Sequence, residues 1–293
     1  MLTPGQDPET QLEALVGAFE KCTLPYADWN HRAHLSVAFH YLARFSEGEA
    51  TARIRSGIQA YNASQGIEQT ETGGYHDSLT IFFAQLIREF LATAPPVATV
   101  GDLLEELCSS CSDRALPLRF YSRQRLMSRE ARFGWLEPDL APIRGSWNEH
   151  VFIVSGCDPQ LLAQAEAQMK SLYTTVEPFA MEQAVVGLTA WWHNQPVGCG
   201  ALCAFETDSL ELRRLYVARP ARGRGVARKL LGCLEQRAAE AGCQKLVLET
   251  GPGQREALAL YSSAGYRPRP PYGPYLSNPE SRCFEKALKV RGR

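Results

Sequence analysis

Apolar residues in the first half of the chain recur three and four positions apart, the spacing of one helix face. Leu12, Leu15, Val16 and Phe19 mark a helix over about Glu9–Cys22. A second, capped by Asn30, carries Leu35, Ala38 and Leu42 on its apolar side. A third is expected from about Glu49 to Tyr61. A fourth, rich in Phe82, Phe83, Leu86, Ile87 and Phe90, runs from Tyr75 to Ala92, and shorter helices follow at Val100–Cys108 and Ser128–Trp135. The Pro, Gly and Asp punctuation of Glu137–Gly145 then reads as a linker. Beyond it strands and helices take turns. Val151–Ser155 is a strand and Pro159–Leu172 a helix, and Val185–His193 with Val197–Phe205 make a hairpin about an Asn194-Gln195 turn. Leu210–Val217 is a strand, a long helix reaches about Ala241, and Leu246–Glu249, Gln254–Ser263 and Cys283–Leu288 read as strand, helix and strand. The pattern predicts an α+β chain, with an all-helical part over 1–144 and a mixed part over 145–293.

The junction between the Leu210–Val217 strand and the long helix carries the most chemistry. Arg222-Gly223-Arg224-Gly225 opens directly into Val226-Ala227 and an apolar stripe of Val226, Leu230 and Leu234. The first N–H groups of a helix have no intrahelical partner, and the helix dipole adds partial positive charge there. Glycines at 223 and 225 let an anion approach the main chain without a Cβ in its way. Strand, glycine turn and helix start together form a phosphate cradle.

Composition narrows the class without naming it. A hydrophobic fraction of 45% and a charged fraction of 22% are globular values, and 293 residues suffice for two ordinary domains. A net charge of -1 supplies no general pull toward nucleic acid or acidic lipid, and no apolar run approaches the roughly 18 residues of a membrane span. The start MLTPGQDPETQ lacks the basic lead and apolar core of a signal peptide. Nine scattered cysteines, with Cys108 and Cys111 a lone C-x-x-C, fit reduced thiols and a cytoplasmic location better than a disulfide scaffold.

The order of elements after the linker, with this turn at its centre, resembles the GNAT superfamily of N-acetyltransferases over about Glu149–Leu288. Arg222, Gly225 and Ala227 meet the family's Q/R-x-x-G-x-G/A pyrophosphate motif. Ala257-Leu-Ala-Leu-Tyr261-Ser-Ser-Ala-Gly265-Tyr266 is similar to its later A-x-x-L-Y-x-x-x-G-F/Y helix, and Val197–Leu202 to the strand entering the sheet. The resemblance implies a mixed sheet that splays between the strands ending at Val217 and Glu249. It implies acetyl-CoA as co-substrate, with the pantetheine arm paired to the backbone at Leu215, Tyr216 and Val217. The pyrophosphate would sit on the amides of Arg222, Gly223, Arg224, Gly225, Val226 and Ala227, and an N–H near Val217 would stabilise the oxyanion. The expected activity is direct acetyl transfer to a small primary amine in a ternary complex, with no nucleic acid or membrane partner and a homodimer left open.

Transfer to an amine needs a proton removed from the ammonium and one given to the departing thiolate. By resemblance Tyr261 is the acid, the reading the rest of the motif favours; the alternative, from its apolar face with Ala257 and Leu258, is ordinary core. Glu211, eleven positions before Arg222, stands where some members carry a glutamate base, or else simply pairs with Arg213; Glu249 is a weaker candidate. Tyr272 and Tyr275, in a proline-stiffened loop, either wall the acceptor pocket or cover the sheet edge.

In the helical part His31 and His34 lie on the stripe with Leu35, and His76 on the face of Phe83 and Ile87. Three imidazoles with Asp28 and Asp77 nearby are candidates for a zinc or iron site, or are buried histidines bonded to carbonyls or carboxylates. This part resembles uncharacterised bacterial helical proteins, which implies no activity. Two further readings therefore stand beside the enzyme: a non-catalytic acyl-CoA sensor coupled to the helices, and a bifunctional protein with metal chemistry there.

Overall fold

The computed structural model describes residues 7–173, 179 and 181–289, so the start of the N-terminal segment weighed against a signal peptide, residues 1–6, lies outside the described residues. The chain divides into two compact units, Met1–His150 and Val151–Arg293.

The first unit is helical: α1 (Pro8–Glu20), α2 (His31–Arg44), α3 (Glu47–Ser64), α4 (Asp77–Thr93), α5 (Val100–Ser110), α6 (Arg123–Leu126) and α7 (Arg129–Phe133). Side-chain caps set the helix starts. Asp7, Asn30, Ser46 and Ser128 each accept from a first-turn amide, and Thr99 with Asp102 forms a reciprocal capping box. The fourth helix begins two residues later than its apolar pattern predicts, because the His76 side chain itself is the cap. The core holds Leu12, Phe19, Phe39, Leu42, Tyr61, Phe82, Ile87 and Phe90. Gly145–His150, placed by the sequence with the second part, pack onto the helices. The Trp147 indole N–H donates to the Leu86 carbonyl at 2.9 Å, and His150 contacts Glu106 at 2.8 Å. The compact division consequently falls six residues beyond the break expected at 144.

Among the described residues the second unit holds a seven-stranded sheet in the order β1-β2-β3-β4-β5-β7-β6. Its strands are β1 (Phe152–Ser155), β2 (Ala184–Trp192), β3 (Gln195–Glu206), β4 (Ser209–Val217), β5 (Lys245–Thr250), β6 (Arg267–Pro268) and β7 (Arg282–Ala287), with α8 (Pro159–Leu172), α9 (Val226–Glu240) and α10 (Arg255–Ser263). The β2–β3 turn is His193-Asn194, one residue before the expected position. Both take positive φ, 49° and 56°, as a two-residue turn that follows the strand twist requires, and Gln195 already pairs with Trp192. Leu230, Leu234 and Ala238 of α9 are buried on one face of the sheet with Leu202 and Leu212.

Two departures from regular pairing shape the unit. First, β4 and β5 are parallel and pair only from Ser209↔Lys245 to Leu212↔Leu248. Past that point β5 pairs with β7 through Thr250↔Arg282, while β4 runs on to Val217 without a strand on its β5 side among the described residues. Second, β4 bulges against β3. Cys199 faces Tyr216 and Ala201 faces Arg213, so Gly200 alone opposes Arg214 and Leu215, and Arg214 sits at φ 56°.

Close packing of β3 under α9 depends on glycine. A Cβ at Gly198 would lie 2.9 Å from the Tyr216 carbonyl oxygen and 3.2 Å from a Leu230 methyl. The backbone contact leaves no rotamer escape. Gly198→Ala is expected to destabilise the sheet unit by about 1–3 kcal/mol in denaturant unfolding; a change below about 0.5 kcal/mol would contradict this packing.

Candidate functional site

Where β4 and β5 part, the sheet opens into a cleft of about 460 Å³. One wall is β4 from Glu211 to Tyr216, and the facing wall is the end of β5 at Glu249, Thr250 and Gly251. Met169 and Tyr173 close one side, Tyr261 of α10 another, and the segment from Pro274 to Glu280 a third. Gly251 is needed for this closure, since a Cβ there would collide with the Tyr173 ring and hydroxyl. That hydroxyl and the Thr250 hydroxyl are buried and take no hydrogen-bond partner among the described residues. Neither feature was anticipated from the sequence.

The strand-to-helix turn is formed as a cradle. Gly223 and Gly225 both take left-handed φ, 77° and 78°, and a Cβ on either would point into open space. Alternation of such residues with right-handed ones aims successive N–H groups at one point. Gly225 caps α9 without any side-chain acceptor, so the first-turn amides are not used up by a cap. The arginines of the turn hold it in place. Arg222 Nε donates to the Val217 carbonyl at 2.9 Å and its Nη2 to Gln168 Oε1 at 2.7 Å, while Arg224 stacks 4.1 Å over Trp192. Leu215, Tyr216 and Val217 lie on the open edge of β4.

The tyrosines and Glu211, chosen separately from the sequence, meet. Tyr272 and Tyr275 donate to the same oxygen, Glu211 Oε1, at 3.0 and 3.1 Å, and Arg213 Nε stands 4.0 Å from the other oxygen. Burial, followed by the Glu211 charge, pushes both phenols far up, so they remain donors. Tyr275 lines the cleft. Tyr272 is packed behind it with Val247, Cys283 and Phe205, and so backs the wall rather than forming it. Glu249 is the contrasting carboxylate: burial raises its pKa. Tyr261 combines the two roles that the sequence left open. It is 6% exposed within the α9 core cluster, yet it borders the cleft, and burial with the nearby Glu249 charge holds its hydroxyl protonated.

The histidines of the helical unit are not gathered into a metal site. His31 Nε2 lies 2.8 Å from the Cys111 carbonyl, and His34 Nδ1 lies 2.8 Å from that of Asn30. His76 uses both ring nitrogens, Nε2 on the Leu126 carbonyl at 2.9 Å and Nδ1 on the Leu79 amide at 3.3 Å. Asp77 is bound by Arg55 and Tyr75. Among the described residues no three His, Cys, Asp or Glu side chains converge as a metal would require. Burial lowers the pKa of both His34 and His76, which favours the neutral imidazole at each carbonyl. Likewise, no helix among the described residues is long and apolar enough to cross a membrane.

The second unit thus holds a mixed sheet that splits beside a glycine turn at a helix start. Comparison gives the family. The model of the acetyltransferase (GNAT) family matches residues 143–266. An Azospirillum brasilense protein named IAA acetyltransferase is 43% identical over 94 residues, which cover 31% of this chain and 61% of that protein. The Bacillus subtilis uncharacterized N-acetyltransferase YsnE is 30% identical over 102 residues, 34% of this chain and 68% of that one. A crystal structure of a Klebsiella pneumoniae protein assigned as an acyl-CoA N-acyltransferase, at 32% identity and TM-score 0.42, covers 48% of this chain and 99% of its own. The chain belongs to the GNAT family, and it spans about three-fifths of the length of the Azospirillum relative (61%).

Glu249 makes a measurable demand on stability. Its pKa is raised in the fold, so the folded chain holds this proton more tightly than the unfolded one. The resulting stabilisation is full below the ordinary glutamate range and is lost as pH rises through the raised value. Glu249→Gln is therefore expected to gain melting temperature over the parent at pH 7 but not at pH 4. An equal difference at both values would contradict the burial of this carboxylate.

Proposed function

We propose that the second unit transfers an acetyl group from acetyl-CoA to a small primary amine by direct attack in a ternary complex. The observation that carries this reading is the left-handed Gly223–Gly225 turn at the start of α9, beside a β4 edge that no strand covers among the described residues. A diphosphate would suit this turn, where no Cβ intrudes and no side chain caps the helix. Backbone groups of Leu215, Tyr216 and Val217 would pair with the amides of a pantetheine arm as a neighbouring strand does, and the 222–227 amides would hold the pyrophosphate. Acetyl-CoA is the donor proposed for this chain, in keeping with its membership of an acetyltransferase family.

Acetyl-CoA, when bound, supplies an activated acetyl group: the amine lone pair forms a C–N bond as the C–S bond breaks, and coenzyme A leaves as the thiol. The chain's residues move two protons. Glu249, whose pKa is raised by burial, takes one from the incoming ammonium. Glu211 is less suited to that task, because one of its oxygens already accepts from two phenols; its role is to position Tyr275. Tyr261 stays protonated well above neutral pH and gives its proton to the departing sulfur, and the nitrogen of the collapsing adduct then returns its second proton to the tyrosinate, leaving the neutral amide. An N–H near Val217 faces the carbonyl oxygen as charge builds on it. Holding both reactants in one cleft supplies the remaining acceleration by proximity.

Purified protein incubated with acetyl-CoA and a panel of small amines should release free thiol. Tyr261→Phe is expected to lower kcat by about 10²-fold or more with coenzyme A affinity within about threefold of the parent. Failure of every amine while coenzyme A still binds would instead favour a non-catalytic acyl-CoA sensor.

A further inference from the structure

The geometry points to Glu211 as a positioning residue that works through Glu249: a clamped negative charge beside the proton acceptor, not a proton acceptor itself. This inference rests on acetyl transfer to an amine in the same cleft, with Glu249 taking the ammonium proton as written above.

Strand register places the two carboxylates. β4 and β5 pair in parallel with Glu211 opposite Val247, and side chains two positions apart on a strand share a face. Glu249 therefore stands on the same face of the sheet as Glu211. It lies one step past the last pair, Leu212↔Leu248, where the strands part. Both carboxylates line the cleft.

The Glu211 side chain is fixed in place. Two buried phenols from one loop, Tyr272 and Tyr275, donate to its Oε1 at 3.0 and 3.1 Å, and Arg213 Nε stands 4.0 Å from Oε2. A general base must turn a free lone pair toward the proton it takes. Two donors on one oxygen hold the rotamer instead, so Glu211 acts by its charge.

The groups around Glu249 each carry a sign. Burial is the main cause of its raised pKa, and the Glu211 charge adds to it. The Ser281 hydroxyl ahead of β7 lowers it, as do the charges of Arg213 and Arg214 on β4. Tyr261 of α10, Tyr275 of the loop and Cys283 of β7 also feel the Glu249 charge, and burial holds each of them protonated. Glu280 lines the cleft but is exposed to water, and α8 brings no charged side chain to the lining. Among the described residues Glu211 is thus the one other carboxylate of the cleft wall that is shielded from water.

A negative neighbour disfavours the ionised form of a carboxylate and so makes it the stronger base. The ammonium proton moves to Glu249, the amine is left neutral, and Glu211 gains and loses nothing.

The test is the pH profile of kcat/KM for an amine that the parent acetylates, read as free-thiol release at saturating acetyl-CoA. Glu211→Gln removes the charge, while its amide oxygen can still accept from both phenols. Its acid limb is expected to survive and to move down by at least about half a pH unit, with the value at pH 7 lower by about threefold or more and the loss shrinking toward acid pH. A merely structural role would lower the rate alike at every pH. Arg213→Gln removes a positive charge from the same surroundings, so its limb should move up, and in Glu249→Gln the limb should vanish. A limb that stays in place or disappears in Glu211→Gln, or that survives in Glu249→Gln, overturns the inference and leaves acetyl transfer standing. If Glu211→Gln does not fold, Arg213→Gln decides: an upward limb supports the inference, and an unchanged or downward one overturns it. No thiol release with any amine, while coenzyme A binds, overturns acetyl transfer and this inference with it.

Discussion

Four parallel residue pairs join β4 to β5, and then the strands separate. Each leaves toward a different demand. β5 continues in antiparallel register with β7, while β4 bends at its bulge and follows β3 to Val217. A backbone edge with no partner costs free energy unless water or a ligand satisfies it. The open edge of β4 is therefore tolerable at the surface of a cleft and most stable when something with amide groups lies along it. The separation also sets Glu249 and Gly251 on the wall facing β4, with Tyr261 bordering the same cleft.

Within the cleft, burial and hydrogen bonding divide the work between similar groups. Two glutamates lie on adjacent strands, but one oxygen of Glu211 is taken by two phenols, whereas Glu249 is left with a pKa raised by burial. Three tyrosines are kept protonated by burial, yet Tyr272 and Tyr275 spend their protons on Glu211. The Tyr261 hydroxyl has no hydrogen-bond partner among the described residues, so it alone of the three has its proton uncommitted. Identical side-chain chemistry thus yields different capacities according to what each atom already touches.

Much of this was legible in the residues. Helical spacing, caps such as Asn30 and Ser128, and the glycines of the turn each report local geometry, and local geometry survives folding. The turn between β2 and β3 was misplaced by one residue, because His193 rather than Gln195 takes the positive φ, an assignment that no side-chain preference marks strongly. The bulge did leave a trace: the apolar positions Leu210, Leu212, Leu215 and Val217 slip from a spacing of two to three across Arg213-Arg214. Other features are long-range and had no such mark. The meeting of Glu211 with Tyr272 and Tyr275 spans more than sixty residues, and the fit of Tyr173 against Gly251 joins α8 to the end of β5. The histidines, read as either a metal site or buried imidazoles bonded to carbonyls or carboxylates, take carbonyl partners. His34 reaches a carbonyl one turn back, at Asn30, whereas the carbonyls of Cys111 and Leu126 that His31 and His76 reach lie far off in the chain, and nothing local foretells those two.

The most direct measurement is a calorimetric titration of coenzyme A into the full chain and into its Gly225→Ala variant. A methyl at 225 meets no protein atom within 4 Å, so it disturbs the cradle through the left-handed φ of 78° and through the space a phosphate would occupy. The account predicts one site per chain for the parent and at least about tenfold weaker binding in the variant, the equivalent of the 1–2 kcal/mol that a Cβ costs in that conformation. Absence of binding heat in the parent, or equal affinity in the two proteins, would contradict it.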